Sequence, residues 1–365
     1  MEMKKKAEAQ IVDLFCGVGG LTRGLLDAGL NVKAGFDFDK TCEFAYTTNN
    51  NSIFVHEDIT KTQPETISNF YDKGSIKVLV GCAPCQPFSK MRQKMGTEHN
   101  QNDYKYNLLE EFGRLIDRIK PEIVSMENVP EIVKSTILPK FLAILNKHKY
   151  KIDYGVVYCP DYGIAQNRRR FVLLASRLGN IKLPLPTHNR KEVSVRPFIQ
   201  NLPQVGSGEV HPNDSLHRTA RLSDLNIRRI RASVPGGTWR DWPEELLLEC
   251  HKKETGQTFS SVYGRMSWDK IGPTMTTQFY CYGTGRYGHP EQDRALTLRE
   301  GALLQTFPLY YQFIDPSKNV SIKDIARHIG NAVPVRLGEV IGESIKEHLE
   351  KVGGKHERRK RQFAA

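Results

Sequence analysis

The sequence lacks the features of membrane, secreted and zinc-binding proteins. It has no run of about 18 apolar residues that could span a bilayer, and residues 1–6 are too polar for a secretion signal. Cys82 and Cys85 form a Cys-x-x-Cys pair, but the chain has no second such pair and no His-x₃-His pair to complete a zinc site. Its seven cysteines, an odd number, fit a reducing cytosol better than a disulfide framework. We expect a cytoplasmic protein without a metal.

What is present is an ordinary globular composition with an excess of positive charge. The 365 residues are 39% hydrophobic and 26% charged, which suffices for a substantial core and two domains. The net charge of +12 favours an acidic partner, and nucleic acid is the usual one. Part of the excess lies in residues 351–365, a basic tail that we expect to be disordered.

Short apolar runs recur through the first half of the chain, most of them followed by a turn and a helical stretch. Because they are continuous and not alternating, they are typical of strands buried on both faces of a sheet. They predict a doubly wound, mostly parallel α/β sheet. The runs are residues 11–15, 32–36, 53–55, 77–81, 122–126, 152–158 and 171–175.

The pattern changes after about residue 184, where prolines interrupt it and a linker begins. Residues 187–321 show no sustained period, only aromatic side chains scattered among basic and turn residues. Those aromatics suit either the core of a smaller domain or a nucleic-acid-binding face. Helical spacing returns at residues 322–349.

The most informative stretch is residues 81–89, where Cys85 stands on a turn bracketed by Pro84 and Pro87. The turn directly follows an apolar run, so the cysteine is predicted at the carboxyl end of a parallel strand. α/β enzymes place nucleophiles and ligands there. A lone cysteine is otherwise commonly a small buried hydrophobe, and the stretch alone leaves both interpretations open.

Three successive strand ends carry residues suited to a cofactor. The first strand leads from Asp13 into a glycine turn at residues 17–20, where bare backbone can approach a ligand closely. Asp37 ends the second strand, where a carboxylate can accept both hydroxyls of a ribose. Asp58 follows the third and could accept from an exocyclic amine. Either acid alone could be a solvated loop charge, but the three signals together favour a cofactor site.

Two later motifs complete the pattern. Glu127 stands after the fifth apolar run, in the sequence Glu-Asn-Val-Pro, and Gln166, Arg168 and Arg170 precede the seventh. By itself an arginine triplet could be plain basic surface. In order along the chain, however, these blocks resemble the S-adenosylmethionine-dependent DNA (cytosine-5)-methyltransferases, of the bacterial modification-methylase type.

The resemblance covers residues 10–176 and 294–345, with every block in the family's order and no departure at a catalytic position; the stretch between them corresponds only in position and size. The matching blocks are Asp-Leu-Phe-x-Gly-x-Gly-Gly at 13–20, Pro-Cys-Gln at 84–86, Glu-Asn-Val at 127–129, Gln-x-Arg-x-Arg at 166–170, Arg-Ala-Leu-Thr-Leu-Arg-Glu at 294–300 and Gly-Asn-Ala-Val-Pro at 330–334.

The resemblance implies methylation of C5 of a cytosine within a specific sequence of double-stranded DNA. Cys85 would add to C6, and Glu127 would hydrogen-bond N3 and the exocyclic amine, so that the electron-poor ring can take a methyl group. In the family pattern Arg170 reaches the base O2, while Arg168 supports the site and the acid. Because a base inside a duplex is out of reach, the target would be flipped out.

The resemblance also implies where S-adenosylmethionine binds. Asp37 would lie on the ribose, Phe38 against the adenine and Asp58 on the adenine amine, and Asn331 would close the pocket from far along the chain. The implied cofactor-binding residues are Asp13, Phe15, Gly17, Gly19, Gly20, Asp37, Phe38, Asp58, Ile59, Pro84, Leu108 and Asn331.

The return of Asn331 makes the catalytic domain discontinuous, with residues 1–186 and 322–350 in it. Residues 187–321 would form an inserted target recognition domain. Residues 89–103 resemble the family's mobile catalytic loop, although a plain solvated basic loop would have the same composition. The implied DNA-binding residues are Gln86, Ser89, Lys90, Arg92, Thr274, Thr276 and Thr277.

Two other functions stay open at this point. One is a transfer-RNA cytosine-5 methyltransferase, since relatives use the same blocks on RNA; the sizeable basic insertion favours DNA. The other is an inactive DNA-binding regulator, which would have lost Cys85, Glu127 or the arginines. As partners we expect double-stranded DNA and, functionally, a restriction endonuclease. We expect a monomer near the bacterial nucleoid.

Overall fold

The computed structural model describes residues 8–84, 104–258, 260–318 and 321–362. The chain divides into two compact units. The first comprises Met1–Tyr158, Arg169–Leu185 and Val335–Ala365, and the second Cys159–Arg168 and Pro186–Pro334. Among the described residues, none of the helices combines the length and the apolar character that crossing a membrane requires.

The first unit is built on a seven-stranded sheet. Its order is β3-β2-β1-β4-β5-β7-β6, in which β7 is antiparallel to both neighbours and the other pairs are parallel. The doubly wound, mostly parallel sheet predicted from the apolar runs is confirmed. The strands are β1 (Ala9–Leu14), β2 (Asn31–Asp37), β3 (Ile53–His56), β4 (Ile76–Gly81), β5 (Ile123–Asn128), β6 (Lys151–Tyr158) and β7 (Arg169–Ser176).

The helices of the two units follow in chain order, numbered over the described residues. They are α1 (Gly20–Asp27), α2 (Glu43–Asn49), α3 (Pro64–Ser68), α4 (Tyr104–Ile119), α5 (Ile137–Lys147), α6 (Arg196–Ile199), α7 (Asp224–Ala232), α8 (Glu249–Lys252), α9 (Glu254–Gln257), α10 (Leu298–Leu304), α11 (Ile322–Asn331) and α12 (Val335–Gln362). The first unit contains α1 to α5 and α12. α11 groups with the second unit.

The core of the first unit lies between the central strands and the helices on their faces. Leu79 and Val124 on the strands pack with Phe112 on α4 and Phe141 on α5. On α1, a Cβ atom at Gly24 would lie 2.2 Å from the carbonyl oxygen of Val335, so only glycine allows α12 to pack this closely. The last helix therefore covers the first, although more than 300 residues separate them in sequence.

One expectation about the first unit is wrong. The two edge strands of the sheet are not buried on both faces: Tyr154 and Val156 on β6 are about half exposed, and so is Ile53 on β3. In the basic tail, α12 continues to Gln362. The Lys, Arg and Glu residues that made the tail look solvated are also good helix formers.

The second unit has its own core, formed largely by aromatic side chains. Trp239 stacks on His251 with the ring centroids 4.1 Å apart. The indole nitrogen of Trp242 donates to Ser233 at 2.8 Å, and the same hydroxyl lies 2.7 Å from the Tyr282 hydroxyl. These aromatics are core residues, the first of the two interpretations above. β8 (Val210–His211) and β9 (Asp214–Arg218) add a short hairpin.

A buried ion pair anchors α10 within the second unit. Arg294 is 1% exposed and Glu300 is fully buried. Both guanidinium NH₂ groups donate to the Glu300 carboxylate, at 2.8 and 2.7 Å. Burial alone would raise the pKa of Glu300, but the adjacent Arg294 lowers it to about 2. Charges buried this deeply need a fixed partner.

Candidate active site

The turn after β1 is built from left-handed backbone. Phe15, Gly17 and Gly19 have φ values of 60°, 52° and 86°, and Gly20 begins α1. Among the described residues other than Gly17 and its two chain neighbours, no atom lies within 4 Å of the position that a Cβ of Gly17 would occupy. The turn thus presents open backbone at the carboxyl edge of the sheet, as the glycine spacing predicts.

Asp37, at the end of β2, holds this turn in place. One carboxylate oxygen accepts the backbone N–H of Gly17 at 2.8 Å, and the other accepts that of Asp39 at 2.8 Å. A carboxylate is an acceptor of hydrogen bonds from backbone N–H groups and from hydroxyl groups alike. Next to it, the Phe38 ring is 69% exposed. An acceptor and an exposed aromatic face therefore stand side by side.

Asp13 lies beneath the turn and not at its surface. It is 1% exposed and accepts a hydrogen bond from Thr22 on α1 at 2.7 Å. Burial raises the pKa of Asp13 to about 7; the bond from Thr22 opposes this, and the nearby Asp37 adds to it. The Thr22 hydroxyl also lies 3.2 Å from that of Tyr46. The sequence offered no signal for Thr22 or Tyr46.

The loop after β3 is fixed by its own hydrogen bonds and by an arginine on α4. One Asp58 oxygen accepts from the backbone N–H of Thr60 at 3.0 Å and from its hydroxyl at 2.8 Å. Arg114 on α4 donates to the carbonyl oxygens of Ile59 and Thr62, at 3.4 and 2.9 Å. Ile59 is buried. Arg114 was not predicted, because nothing in its local sequence distinguishes it from a surface arginine.

At the end of β5, Glu127 meets Arg170. The carboxyl group is 2% exposed, and the Arg170 Nε lies 2.7 Å from Glu127 Oε1. The reason is topological: β7 is antiparallel to β5, so the start of β7 lies beside the end of β5. The next residue, Asn128, donates through its side chain to the carbonyl oxygen of Ala83 at 3.2 Å.

Arg168, two residues before Arg170, belongs to the second unit. Its guanidinium donates to the carbonyl oxygens of Met275 and Ala332, at 3.1 and 3.4 Å. Neighbouring Gln166 is fully buried and accepts from the backbone N–H of Met275 at 2.9 Å. Both side chains therefore order the segments around residues 275 and 332.

The remaining predicted residues fall into three groups. Leu108 is buried on α4, Pro84 is half-buried, and Asn331 is exposed at the end of α11 in the second unit. Also in the second unit, the Thr274 hydroxyl donates to the carbonyl oxygen of Asn167 at 2.6 Å, Tyr287 donates to the Thr276 hydroxyl at 3.1 Å, and Thr277 is half-buried. Cys85, Gln86, Ser89, Lys90 and Arg92 lie outside the described residues.

Comparison with solved structures identifies the fold. A crystal structure of a prophage-encoded DNA modification methyltransferase of E. coli matches with a TM-score of 0.72 and 22% identity, covering 94% of this chain and 100% of that one. At that identity the likeness concerns the fold alone. The sheet order and this match define the S-adenosylmethionine-dependent methyltransferase fold.

Sequence comparison identifies the family. The model of the C-5 cytosine-specific DNA methylases matches residues 9–347. The chain is 50% identical to the type II methylase M.HgiDII of Herpetosiphon aurantiacus, over 96% of this chain and 98% of that protein. It is 30% identical to the type II methyltransferase M.PspPI of Psychrobacter sp. (strain TA137), over 94% and 80%. The chain belongs to the C-5 cytosine-specific DNA methylase family and is a DNA (cytosine-5)-methyltransferase.

Proposed function

We propose that this enzyme methylates one cytosine within a specific sequence of double-stranded DNA, after flipping the base out and adding Cys85 to its C6. The observation that supports this most directly is the Glu127–Arg170 pair at 2.7 Å. It puts an acid and a hydrogen-bond donor at the end of β5, beside the β4 end that leads to Cys85. The edges of a cytosine offer both acceptors and a donor to such a pair.

The cofactor in this proposal is S-adenosylmethionine, which supplies the methyl group when bound. The first unit has residues that fit it. Gly17 leaves its Cβ position open, Asp37 is a carboxylate, which is the kind of group that accepts hydrogen bonds from ribose hydroxyls, and the exposed face of Phe38 suits an adenine ring. Asp13, sealed beneath the turn, would position it and not touch the ligand. The proposed site in this unit also includes Phe15, Gly19, Gly20, Asp58, Ile59, Pro84 and Leu108. The assignment of Asn331, which groups with the second unit, stays a prediction.

Cys85 supplies the chemistry that neutral cytosine lacks. Its thiolate forms a bond to C6, and the electron pair of the 5,6 double bond moves to C5, which becomes nucleophilic enough to take a methyl group. Loss of the C5 proton to a base then lets the sulfur leave by elimination, which restores the double bond. Each bond that forms at C6 is broken again, so the enzyme is regenerated.

Glu127 and Arg170 act on the polar edge of the base. Glu127 bonds N3 and the exocyclic amine and stabilises the electron density that Cys85 pushes into the ring. Arg170 orients Glu127 and reaches the base O2. For Arg168 we propose a supporting role, because its guanidinium is already committed to the carbonyl oxygens of Met275 and Ala332.

The second unit is the proposed target recognition domain. We propose that DNA contacts Thr277 of this unit. It would also contact four residues that follow Cys85 in the sequence: Gln86, Ser89, Lys90 and Arg92. Thr274 and Thr276 carry hydrogen bonds inside this unit, so we expect them to shape the recognition segment more than to read bases directly.

The relatives named type II suggest the biological setting. We propose that the enzyme protects host DNA beside a restriction endonuclease of the same specificity, and that it works as a monomer at the nucleoid in the bacterial cytoplasm. A methylated site would then resist cleavage by the partner nuclease.

Bisulfite sequencing of plasmid DNA from cells expressing the protein tests the proposal. We expect fully methylated cytosines in one short recurring sequence. Purified enzyme should transfer labelled methyl groups from S-adenosylmethionine to that duplex and not to transfer RNA. Transfer to RNA alone, or methylation without a recurring sequence, would contradict the proposed substrate.

Asp37→Ala is expected to weaken S-adenosylmethionine binding by about tenfold. The substitution removes the carboxylate that would accept hydrogen bonds from the ribose, and it also removes the bond from the Gly17 backbone N–H that holds the turn. Affinity for DNA should not change. Titration calorimetry measures the first and a gel-shift assay the second. Asp27→Ala, which removes an exposed α1 carboxylate paired with Arg23, is the matched control. Unchanged cofactor affinity in Asp37→Ala would refute this position for the ribose.

A further inference from the structure

One close contact in the first unit has no role in the mechanism above. The Cys82 thiol lies 2.6 Å from Glu127 Oε2. The other oxygen of the same carboxylate, Oε1, faces Arg170 Nε at 2.7 Å. Glu127 therefore accepts a hydrogen bond from the end of β4 through one oxygen and forms an ion pair with the start of β7 through the other.

The sheet register explains why Cys82 reaches Glu127. Gly81 on β4 pairs with Met126 on β5 in a parallel ladder. One residue further along each strand, Cys82 and Glu127 stand side by side, and paired residues of neighbouring strands project to the same face. The backbone N–H of Cys82 continues the ladder on its other side by donating to the carbonyl oxygen of Leu14 at 3.3 Å.

A second bond ties the same two strand ends together. Asn128 donates through its side chain to the carbonyl oxygen of Ala83 at 3.2 Å. The contacts of Cys82 and Ala83 thus fix the last described turn before Cys85 against the strand that carries Glu127. A thiol is a weak donor, but a carboxylate is a charged acceptor, which strengthens the bond.

We propose that Cys82 is a positioning residue for methyl transfer: its thiol fixes the rotamer of Glu127, which would otherwise be held by Arg170 alone. The inference rests on the proposed role of Glu127 toward the base. Cys82 itself touches neither the base nor the methyl donor. It keeps the Glu127 carboxyl group from rotating away from the polar edge of the cytosine. Loss of Cys82 should therefore lower the methylation rate and leave the affinities for DNA and S-adenosylmethionine unchanged.

Single-turnover methylation assays of Cys82→Ala and Cys82→Ser test this role. Cys82→Ala is expected to lower the methylation rate by about tenfold, as expected for loss of one hydrogen bond to a charged group. The KM values for DNA and S-adenosylmethionine should stay within about twofold, because binding groups are unchanged. Cys82→Ser keeps a donor at this position and should recover most of the rate. Thermal unfolding of each variant reports whether the fold is intact.

A double-mutant cycle with Glu127→Gln separates this inference from the proposed function. If Cys82 acts through the acid, adding Cys82→Ala to Glu127→Gln lowers the rate no further. The inference is overturned if Cys82→Ala keeps the wild-type rate, if Cys82→Ser is as slow as Cys82→Ala, or if Cys82→Ala costs the same factor in both backgrounds. A wild-type rate for Glu127→Gln itself would remove the proposed role of the acid, and the inference with it.

Discussion

Cys85→Ala is expected to abolish methyl transfer, with a fall in kcat of more than about 1,000-fold, because no other group can activate C5. Cytosine is neutral and electron-poor, so without a bond from sulfur to C6 its C5 has too little electron density to attack a methyl sulfonium. Binding of DNA and of S-adenosylmethionine should persist, since neither depends on the thiol. Transfer of labelled methyl groups, with gel-shift and calorimetric binding in parallel, measures the three quantities.

The matched control is Cys250→Ala, which removes an exposed thiol on α8 in the second unit. It should leave kcat unchanged, so that an effect of losing any cysteine is distinguished from the effect of losing this one. Measurable methylation by Cys85→Ala, at a rate above that of a preparation without enzyme, would contradict the covalent mechanism.

DNA that contains 5-fluorocytosine at the target gives an independent readout. Fluorine replaces the proton that must leave C5, so elimination is blocked after methyl transfer and the protein stays bound to C6. Wild-type enzyme should form an adduct that survives denaturing electrophoresis, and Cys85→Ala should not. Absence of the adduct from active wild-type enzyme would show that methylation does not pass through this bond.

The strands of the sheet and the glycine turn after β1 were the most predictable parts of the molecule. Each of the seven apolar runs is a strand, and in the central strands β1, β4, β5 and β7 burial on both faces accounts for the continuous apolar pattern. The glycine turn was predictable for a related reason: its left-handed φ values at Gly17 and Gly19 favour glycine. These features depend on a few adjacent residues, so the sequence alone is enough to find them.

Side-chain roles that depend on burial or on distant segments were not predictable in the same way. The burial of Asp13 and its hydrogen bond from Thr22 on α1 could not be predicted from the residues around Asp13. The pairing of Glu127 with Arg170 requires β7 to run antiparallel to β5, which no local pattern encodes. Thr274 bonds a carbonyl more than 100 residues away. Such relations arise only when the whole sheet or unit is assembled.

Glu300→Gln is expected to lower the stability of the second unit by about 3–5 kcal/mol, because it leaves the buried Arg294 charge without a counterion. The carboxylate also accepts the backbone N–H of Thr297 at 2.8 Å, at the start of α10. We expect the melting temperature to fall by about 10 °C. Asp269→Asn removes the same kind of group from an exposed pair with Arg196 and should leave the melting temperature close to that of the wild type, because exposed ion pairs contribute little to stability.

The same substitution should also change how stability depends on pH. The pKa of Glu300 is about 2 in the folded protein, against an ordinary value of 4.5. Its contribution is therefore present above pH 4.5 and is lost as the pH falls through about 2. Glu300→Gln has no proton to bind, so this part of the acid destabilisation should disappear from melting curves recorded across that window. A melting temperature equal to that of wild type at neutral pH would mean that Arg294 finds another partner.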